Sequence, residues 1–324
     1  MSQNVLVVAS IQQDRVKRST FEALARARSV ARETDGVIEA CVVHPDAASF
    51  APELHRHGAS VVHVISSDAV EPHVNAPVVA ALERIIAETG PRIVVFPSTE
   101  AVKDVLGALA VRTGAAVLPD VSSFGVDGSE VVAERPVMAA KKIADTRTDA
   151  DLVLVSVRSG SYEAEESPVD GSINEIDFSF DTSSLSQTLR DIVRPAGDTV
   201  DLSEARVVVA AGRGVRDEQG KRLVEELAGV FDAGIGASRA VVESGLFPAS
   251  AQIGQTGKVV SPDLYFAVGI SGAIQHVAGM SNSRVIVAIN KDGDAPIFDI
   301  ATYGLVGDLY DILPPLIEGL RNAV

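Results

Sequence analysis

Short apolar runs alternate with longer amphipathic stretches from residue 4 to about residue 120. Asn4–Ala9, "VIEACVV", "SVVHVI" and "RIVVF" have the continuous apolar character of buried strands. Between them, "STFEALARARSVARETDG", a shorter piece ending near Gly58, "APVVAALERIIAETG" and "AVKDVLGALAVRTG" carry helical spacing. Ser19 with Glu22 three residues on forms a capping box, and Gly36 is a plausible stop. Strands separated by helices imply right-handed crossovers and a parallel sheet.

The rhythm changes near residue 121. "VSSFGV", "EVVAERPV", "AAKKIAD" and "DLVLVSVR" are short strand candidates with no helices between them, which predicts an antiparallel extension of the first sheet. "SGSYEAEESPVDGS" is polar and turn-rich, so it reads as a loop. "RPAGDTVDLSEA" precedes a fresh strand, Arg206–Ala211, and places a domain boundary near residue 197. The expected organisation is α/β in two domains: 1–196, a partner-facing scaffold with the antiparallel extension, and 197–324, doubly wound. In the second domain "RDEQGKRLVEELAGVF" predicts a helix. "LYFAVGISG" and "RVIVAINKD" are strands running into polar turns. "LVGDLYDILPPLIEGLRNA" supplies the last helices, interrupted around Pro314–Pro315.

Composition narrows the function. The 324 residues are 46% apolar, carry a net charge of −16 and include no Trp. Nucleic-acid binding asks for a basic face, often with aromatic platforms, and neither is present. The acidic balance disfavours anionic lipid and suits solubility and a partner with a basic patch. No apolar run is long enough to cross a bilayer. The start of the chain lacks a basic stretch followed by an apolar region and a cleavage site, so the expectation is a cytoplasmic protein without membrane insertion. The single cysteine, Cys41, cannot form an internal disulfide and reads as a buried structural thiol. His55 and His57 read as a solvated turn, and His73 has the same plain reading. No histidine is paired with Cys or acids at ligand spacing, so no metal site is expected.

Candidate chemistry gathers in the second half. "VVVAAGRGVRD", "YFAVGISG" and "VIVAINKDGD" each end an apolar strand in glycines or polar groups. Ligands of open α/β sheets bind beyond the carboxyl ends of the strands. Glycine there lets backbone N–H groups approach a phosphate, and a helix expected after Gly272 adds its positive end. "GRGVRD" is an imperfect GxGxxG, with Asp217 at the third glycine position. "GQTGKV" lacks phosphate-loop spacing and has Val259 where Ser or Thr would bind magnesium, which excludes a phosphate-loop NTPase. His276 lies near the same strand ends; its spacing is equally compatible with a satisfied core histidine. No convincing Ser–His–Asp arrangement exists, which weakens a hydrolase reading.

"LYFAVGISGAIQHVAGMSNSRVIVAIN" resembles the C-terminal signature of the electron transfer flavoprotein alpha subunit family. "AGRG", "IGASRAVVESG", "QIGQTGK" and "INKDGDAPIFDIATYGLVGDL" match in order and spacing, densely from about residue 206 to 315. "AVLPDVSSF" and "ERPV" fit more loosely in the first half. The family often has an aromatic followed by Ala-Gly-Asn after that Arg-Pro, where this chain has Met138-Ala139-Ala140-Lys141 after Val137.

The resemblance implies an FAD site in the second domain, closed by a beta subunit that carries AMP or a second FAD. It implies Arg213, Gly214, Ser238 and Ser271 at the pyrophosphate and Arg239 against the isoalloxazine ring. Gln252, Gln255, Thr256 and Gly257 would line the flavin, His276 would face its C2 carbonyl, and Asn290 and Asp308 would hold the adenosine end. Gly272 and Gln275 complete the set. Without the resemblance, Asn290 would read as a turn former and Asp308 as a helix-face acid. A cation such as Arg239 favours a reduced, more negative ring. At an effective dielectric of about 20 and a distance of about 4 Å, the attraction is roughly 4 kcal/mol. For one electron this bounds the shift at roughly 170 mV.

The implied activity is that of an electron carrier without substrate turnover. It would pass electrons from acyl-CoA-type dehydrogenases, as in fatty acid β-oxidation, to a membrane quinone reductase. An NADH-using bifurcating member of the family, or a non-redox adenine-nucleotide-binding regulator, are the alternatives.

Overall fold

The computed structural model describes residues 4–70, 74–138, 142–185, 189 and 201–323. The chain divides into two units, 1–193 and 194–324. The boundary expected near residue 197 lies outside the described residues, as do His73 and residues 139–141.

In the first unit, β1 (Val5–Val8) leads through a minimal hairpin, β2 (Ile11–Gln12) and β3 (Arg15–Val16), into α1 (Arg18–Glu33). Then come β4 (Ile38–Val43), α2 (Ala51–Arg56), β5 (Val61–Ile65), α3 (Asn75–Thr89), β6 (Ile93–Pro97), α4 (Glu100–Thr113) and β7 (Ala116–Val121). After these lie β8 (Ser123–Asp127), β9 (Glu130–Val137), β10 (Lys142–Thr148), β11 (Val153–Val157) and β12 (Ser172–Glu175). The main sheet is parallel throughout, in the order β12-β5-β4-β1-β6-β11-β7. Successive residues of a strand face opposite ways. Val5 and Val7 therefore pack with Phe21, Leu24 and Ala27 of α1. Leu6, Cys41 and Phe96 pack on the other face with Leu82 and Ile85 of α3 and Leu106 and Leu109 of α4. Helices α3 and α4 both stop at a left-handed glycine, Gly90 and Gly114.

The antiparallel addition expected after residue 121 is present as a sheet of its own, β10-β9-β8. One of its expected members belongs elsewhere. Val153–Val157 is buried along its whole length and lies parallel between β6 and β7. A strand covered on both faces reads as a continuous apolar run, and "VLVSV" is one. The mainly exposed β10 reads "KIADTRT". The expected loop after residue 158 ends in a short parallel edge strand, β12, which the sequence reading did not include.

Two local expectations change. Lys17, not Ser19, stands at the N-cap of α1, and no side chain caps that end. Ser19 is buried inside the helix with its hydroxyl unbonded, and Glu22 accepts from the Gly160 amide at 2.7 Å. The β2–β3 hairpin delivers the chain early, with the Lys17 amide bonded to Ser10 O at 2.9 Å. His57 is not on a solvated turn: it is buried and stacked on Phe21, with ring centres 3.9 Å apart. His55 Nδ1 is bonded to Ala59 O at 2.7 Å. Among the described residues no cluster of His, Cys, Asp and Glu is placed to hold a metal. Cys41 is fully buried, and that burial pushes its thiol well above the ordinary range.

The second unit has β13 (Val207–Ala211), α5 (Glu218–Val230), β14 (Gly234–Ala237), α6 (Arg239–Glu243), β15 (Leu264–Val268), α7 (Ile274–Val277), β16 (Val285–Asn290), β17 (Tyr303–Val306) and α8 (Leu309–Arg321). Its sheet is parallel, in the order β14-β13-β15-β16-β17. One face packs Val209, Phe266 and Ile289 against α5 and α8. The other packs Val208, Tyr265 and Ala288 beneath connecting segments, through Ile253, Val260, Met280 and Ile297. The last helix is continuous: α8 runs through Pro314 and Pro315. Each proline removes one backbone donor, but Leu309, Leu313 and Ile317 are buried at four-residue spacing and hold the helix on the sheet. Three such aliphatic burials contribute ~1.5–3 kcal/mol each, enough to offset the lost bonds.

Candidate functional site

The strand order in the second unit reverses between β13 and β15. That switch point opens a crevice at the carboxyl ends of the strands, where doubly wound folds bind ligands. A cleft of about 380 Å³ lies there. It is lined by Arg213 after β13, by Ser238 and Arg239 after β14, by Gln252, Gln255 and Thr256, and by Ser271, Gln275 and His276 after β15. Nine of the fourteen site residues expected from the sequence thus share one cleft.

The strand-end glycines work differently from the sequence expectation. A Cβ on Gly212 would sit 2.2 Å from Gly269 O, and one on Gly272 would sit 2.3 Å from the Ile297 backbone nitrogen. Gly272 is also left-handed, at φ +86°. Their missing bulk lets the chain's own loops press together, with the Gly214 amide bonded to Gly269 O at 3.0 Å. The glycines shape the walls and the neighbouring polar side chains face the opening. The helix expected after Gly272 is a single turn, Ile274–Val277. It is too short to supply the dipole effect assigned to it.

Arg239 opens α6, and its side chain is 69% exposed. Its Nε donates to Glu243 Oε1 at 2.7 Å, one helical turn on. Glu243 lines the same cleft and was missed from sequence; the i,i+4 spacing in "SRAVVES" is the signal that could have found it. Arg213 is exposed, and among the described residues it has no hydrogen bond or ion pair, so its guanidinium faces the opening uncompensated. The turn from 252 to 257 is held by Gln252 Nε2 donating to Thr256 Oγ1 at 3.0 Å and by the Gln255 amide donating to Gln275 O at 2.7 Å. The Thr256 hydroxyl accepts that bond and keeps its own proton for a ligand.

His276 is buried at the cleft floor. Its Nδ1 is 3.1 Å from Ile253 O and its Nε2 is 2.8 Å from the Tyr265 hydroxyl. Burial pulls its pKa down to about 4, with the Ile253 carbonyl pulling weakly the other way. The ring is therefore neutral at pH 7, with both nitrogens engaged inside the chain.

Five expected site residues do not line the cleft: Gly214, Gly257, Gly272, Asn290 and Asp308. Asn290 Nδ2 donates to Ile270 O at 2.8 Å, which ties the end of β16 to the loop carrying Ser271. Asp308 caps α8, accepting from the Tyr310 amide at 3.0 Å. Asp217, the apparent defect in the glycine fingerprint, caps α5 and accepts from the Gly220 amide and the Tyr310 hydroxyl, both at 2.9 Å. Those bonds, the Gly220 amide first, hold its carboxyl below the usual range.

Comparison with known proteins points the same way as the cleft. Residues 201–281 match the family described as the electron transfer flavoprotein FAD-binding domain, and residues 5–180 match the electron transfer flavoprotein domain. The chain is 38% identical to the electron transfer flavoprotein subunit alpha of Bacillus subtilis over 324 residues, 99% of this chain and 98% of that one. It is 41% identical to that of Mycobacterium leprae, over 83% of each chain. It is 35% identical to the mitochondrial subunit of Oryza sativa subsp. indica, over 98% of this chain and 91% of that one.

Proposed function

The chain belongs to the electron transfer flavoprotein alpha subunit family, and from that premise we propose that it is the flavin-holding half of a heterodimeric electron carrier. Its C-terminal unit is an FAD-binding domain. The observation that carries the rest is the cleft at the switch point, where nine expected residues converge and Arg213, among the described residues, forms no ion pair. An unpaired cation beside Ser238 and Ser271 suits a diphosphate. The turn bearing Gln252, Gln255 and Thr256 offers amide and hydroxyl groups suited to a ring edge rich in carbonyls and nitrogens.

FAD supplies the redox chemistry when bound. The chain's own residues bind, orient and tune. Arg213, Ser238 and Ser271 hold the anionic linker. Arg239 presents positive charge that favours added negative charge on the ring, tempered by its pairing with Glu243. His276 contributes a neutral ring at the floor. Asn290 acts through Ile270 by fixing the loop that carries Ser271. Gly214, Gly257 and Gly272 shape the walls, and Asp308 sets the start of α8.

In this reading a beta subunit closes the site and carries AMP or a second FAD. Acyl-CoA-type dehydrogenases donate electrons and a membrane quinone reductase accepts them. The acidic surface of the chain, −16 overall, favours basic docking faces on those partners. The test is co-expression with a beta subunit and an absorption spectrum of the purified pair. A flavin spectrum is expected, at one FAD per alpha chain if the beta subunit carries AMP and at two if it carries a second FAD. A pair that stays colourless after FAD is added would end the proposal.

A further inference from the structure

Tyr265 is the largest fully buried side chain in the second unit and belongs to no role assigned so far. It sits on β15, in the apolar run LYFAV, on the sheet face covered by connecting segments instead of long helices. A buried tyrosine hydroxyl needs a hydrogen-bond partner, and this one finds His276 Nε2 at 2.8 Å.

The polarity of that bond is decided on the other side of the ring. Ile253 O can only accept, so Nδ1 carries the ring proton across the 3.1 Å contact. A neutral ring then has a bare Nε2, which accepts from the Tyr265 O–H. We infer that Tyr265 is a positioning residue that fixes the tautomer of His276 and keeps it uncharged at the floor of the cofactor cleft. The consequence for a bound flavin rests on the function proposed above; the inference about the two side chains does not.

The surroundings agree. Tyr265 is the titratable group in contact with the ring among the described residues. Gln275 adjoins it on α7, and Gln252, Gln255 and Thr256, on the turn beside Ile253, line the same cleft. The charged groups of the cleft are Arg213, Arg239 and Glu243, none of them hydrogen-bonded to His276. Among the described residues no carboxylate bonds the ring to stabilise an imidazolium. Burial disfavours one further and draws the ring's pKa down to about 4. The floor of the cleft is thus held electrically constant across neutral pH, and Arg213, Arg239 and Glu243 set the local charge.

The experiment is nitrogen NMR of the stripped heterodimer with imidazole-15N histidine in this chain, His276 being assigned from its loss in His276→Gln. The wild type is expected to show the Nδ1–H tautomer with shifts unmoved from pH 8 to 5.5. Tyr265→Phe removes only the hydroxyl, leaving Nε2 without a donor. Proton affinity of the ring should then rise about tenfold, the worth of one hydrogen bond, and the Nδ1–H signature should weaken. A wild-type Nε2–H tautomer, or wild-type titration near the ordinary histidine value, would overturn the inference without any variant. So would a Tyr265→Phe spectrum superimposable on the wild type. Reloading with FAD adds a second reading: the midpoint potential of Tyr265→Phe should depend on pH more steeply than that of the wild type, and equal slopes would count against the inference. If FAD fails to bind, the function proposed above falls and the stripped-protein spectra still decide this one.

Discussion

Arg239 and Glu243 meet at 2.7 Å on one short helix, and both remain more than half exposed. An exposed pair of this kind is worth ~0.2–1 kcal/mol, so Glu243 tempers the arginine without cancelling it. Arg239→Ala should lower the flavin midpoint potential, by less than the ~170 mV that bounds a close unscreened contact. Glu243→Gln should raise it by up to about 40 mV, the same pair energy expressed for one electron. Potentiometric titration of the two variants checks both signs; shifts in the same direction would break the argument. His276 gives a pH prediction. Its folded pKa, about 4, lies below the free value of 6.5. The unfolded chain therefore binds the extra proton first as pH falls. The stabilisation is full above about 6.5 and is lost progressively toward 4. By pH 5.5 roughly 1.4 kcal/mol is gone. The melting temperature of the wild type should accordingly fall more between pH 7.5 and 5.5 than that of His276→Gln.

The elements differ in how openly the sequence announces them. Helices α3 and α4 carry amphipathic spacing as expected, and both end at a left-handed glycine, Gly90 and Gly114. Strand β11 was found, but its place in the parallel sheet was not, because sheet membership depends on which neighbours bury both faces. The unbroken apolar run "VLVSV" was the available clue. At α8 the local rule failed: a Pro-Pro pair signals a break, yet the stripe of Leu309, Leu313 and Ile317 on the sheet outweighs two lost bonds. Leu313→Ala should therefore cost ~2–5 kcal/mol, read as a lower denaturation midpoint of the second unit. A loss below 0.5 kcal/mol would show that the stripe does not hold α8. At the site, polar residues beside strand ends were legible. The partners that fix them, Glu243 for Arg239 and Tyr265 for His276, required the fold, since Tyr265 and His276 meet across the end of a strand and a turn.

For the molecule as a whole, two α/β units share one chain, and the resemblance that identified the family was densest where the cleft is built. Its glycines were read correctly as a demand for missing bulk and incorrectly as to what fills the space. Gly212 and Gly272 are pressed by the protein's own backbone, which no linear pattern distinguishes from a ligand's approach. Among the described residues no helix is long and apolar enough to cross a membrane. The central claim is that FAD lies in the crevice between the ends of β13 and β15. Hydrogen exchange of the stripped heterodimer, followed by mass spectrometry with and without FAD, tests it most directly. Slowed exchange is expected in the peptides covering residues 212–214, 238–243, 252–257 and 271–276. Protection confined to residues 4–185, or absent from those four stretches, would contradict it.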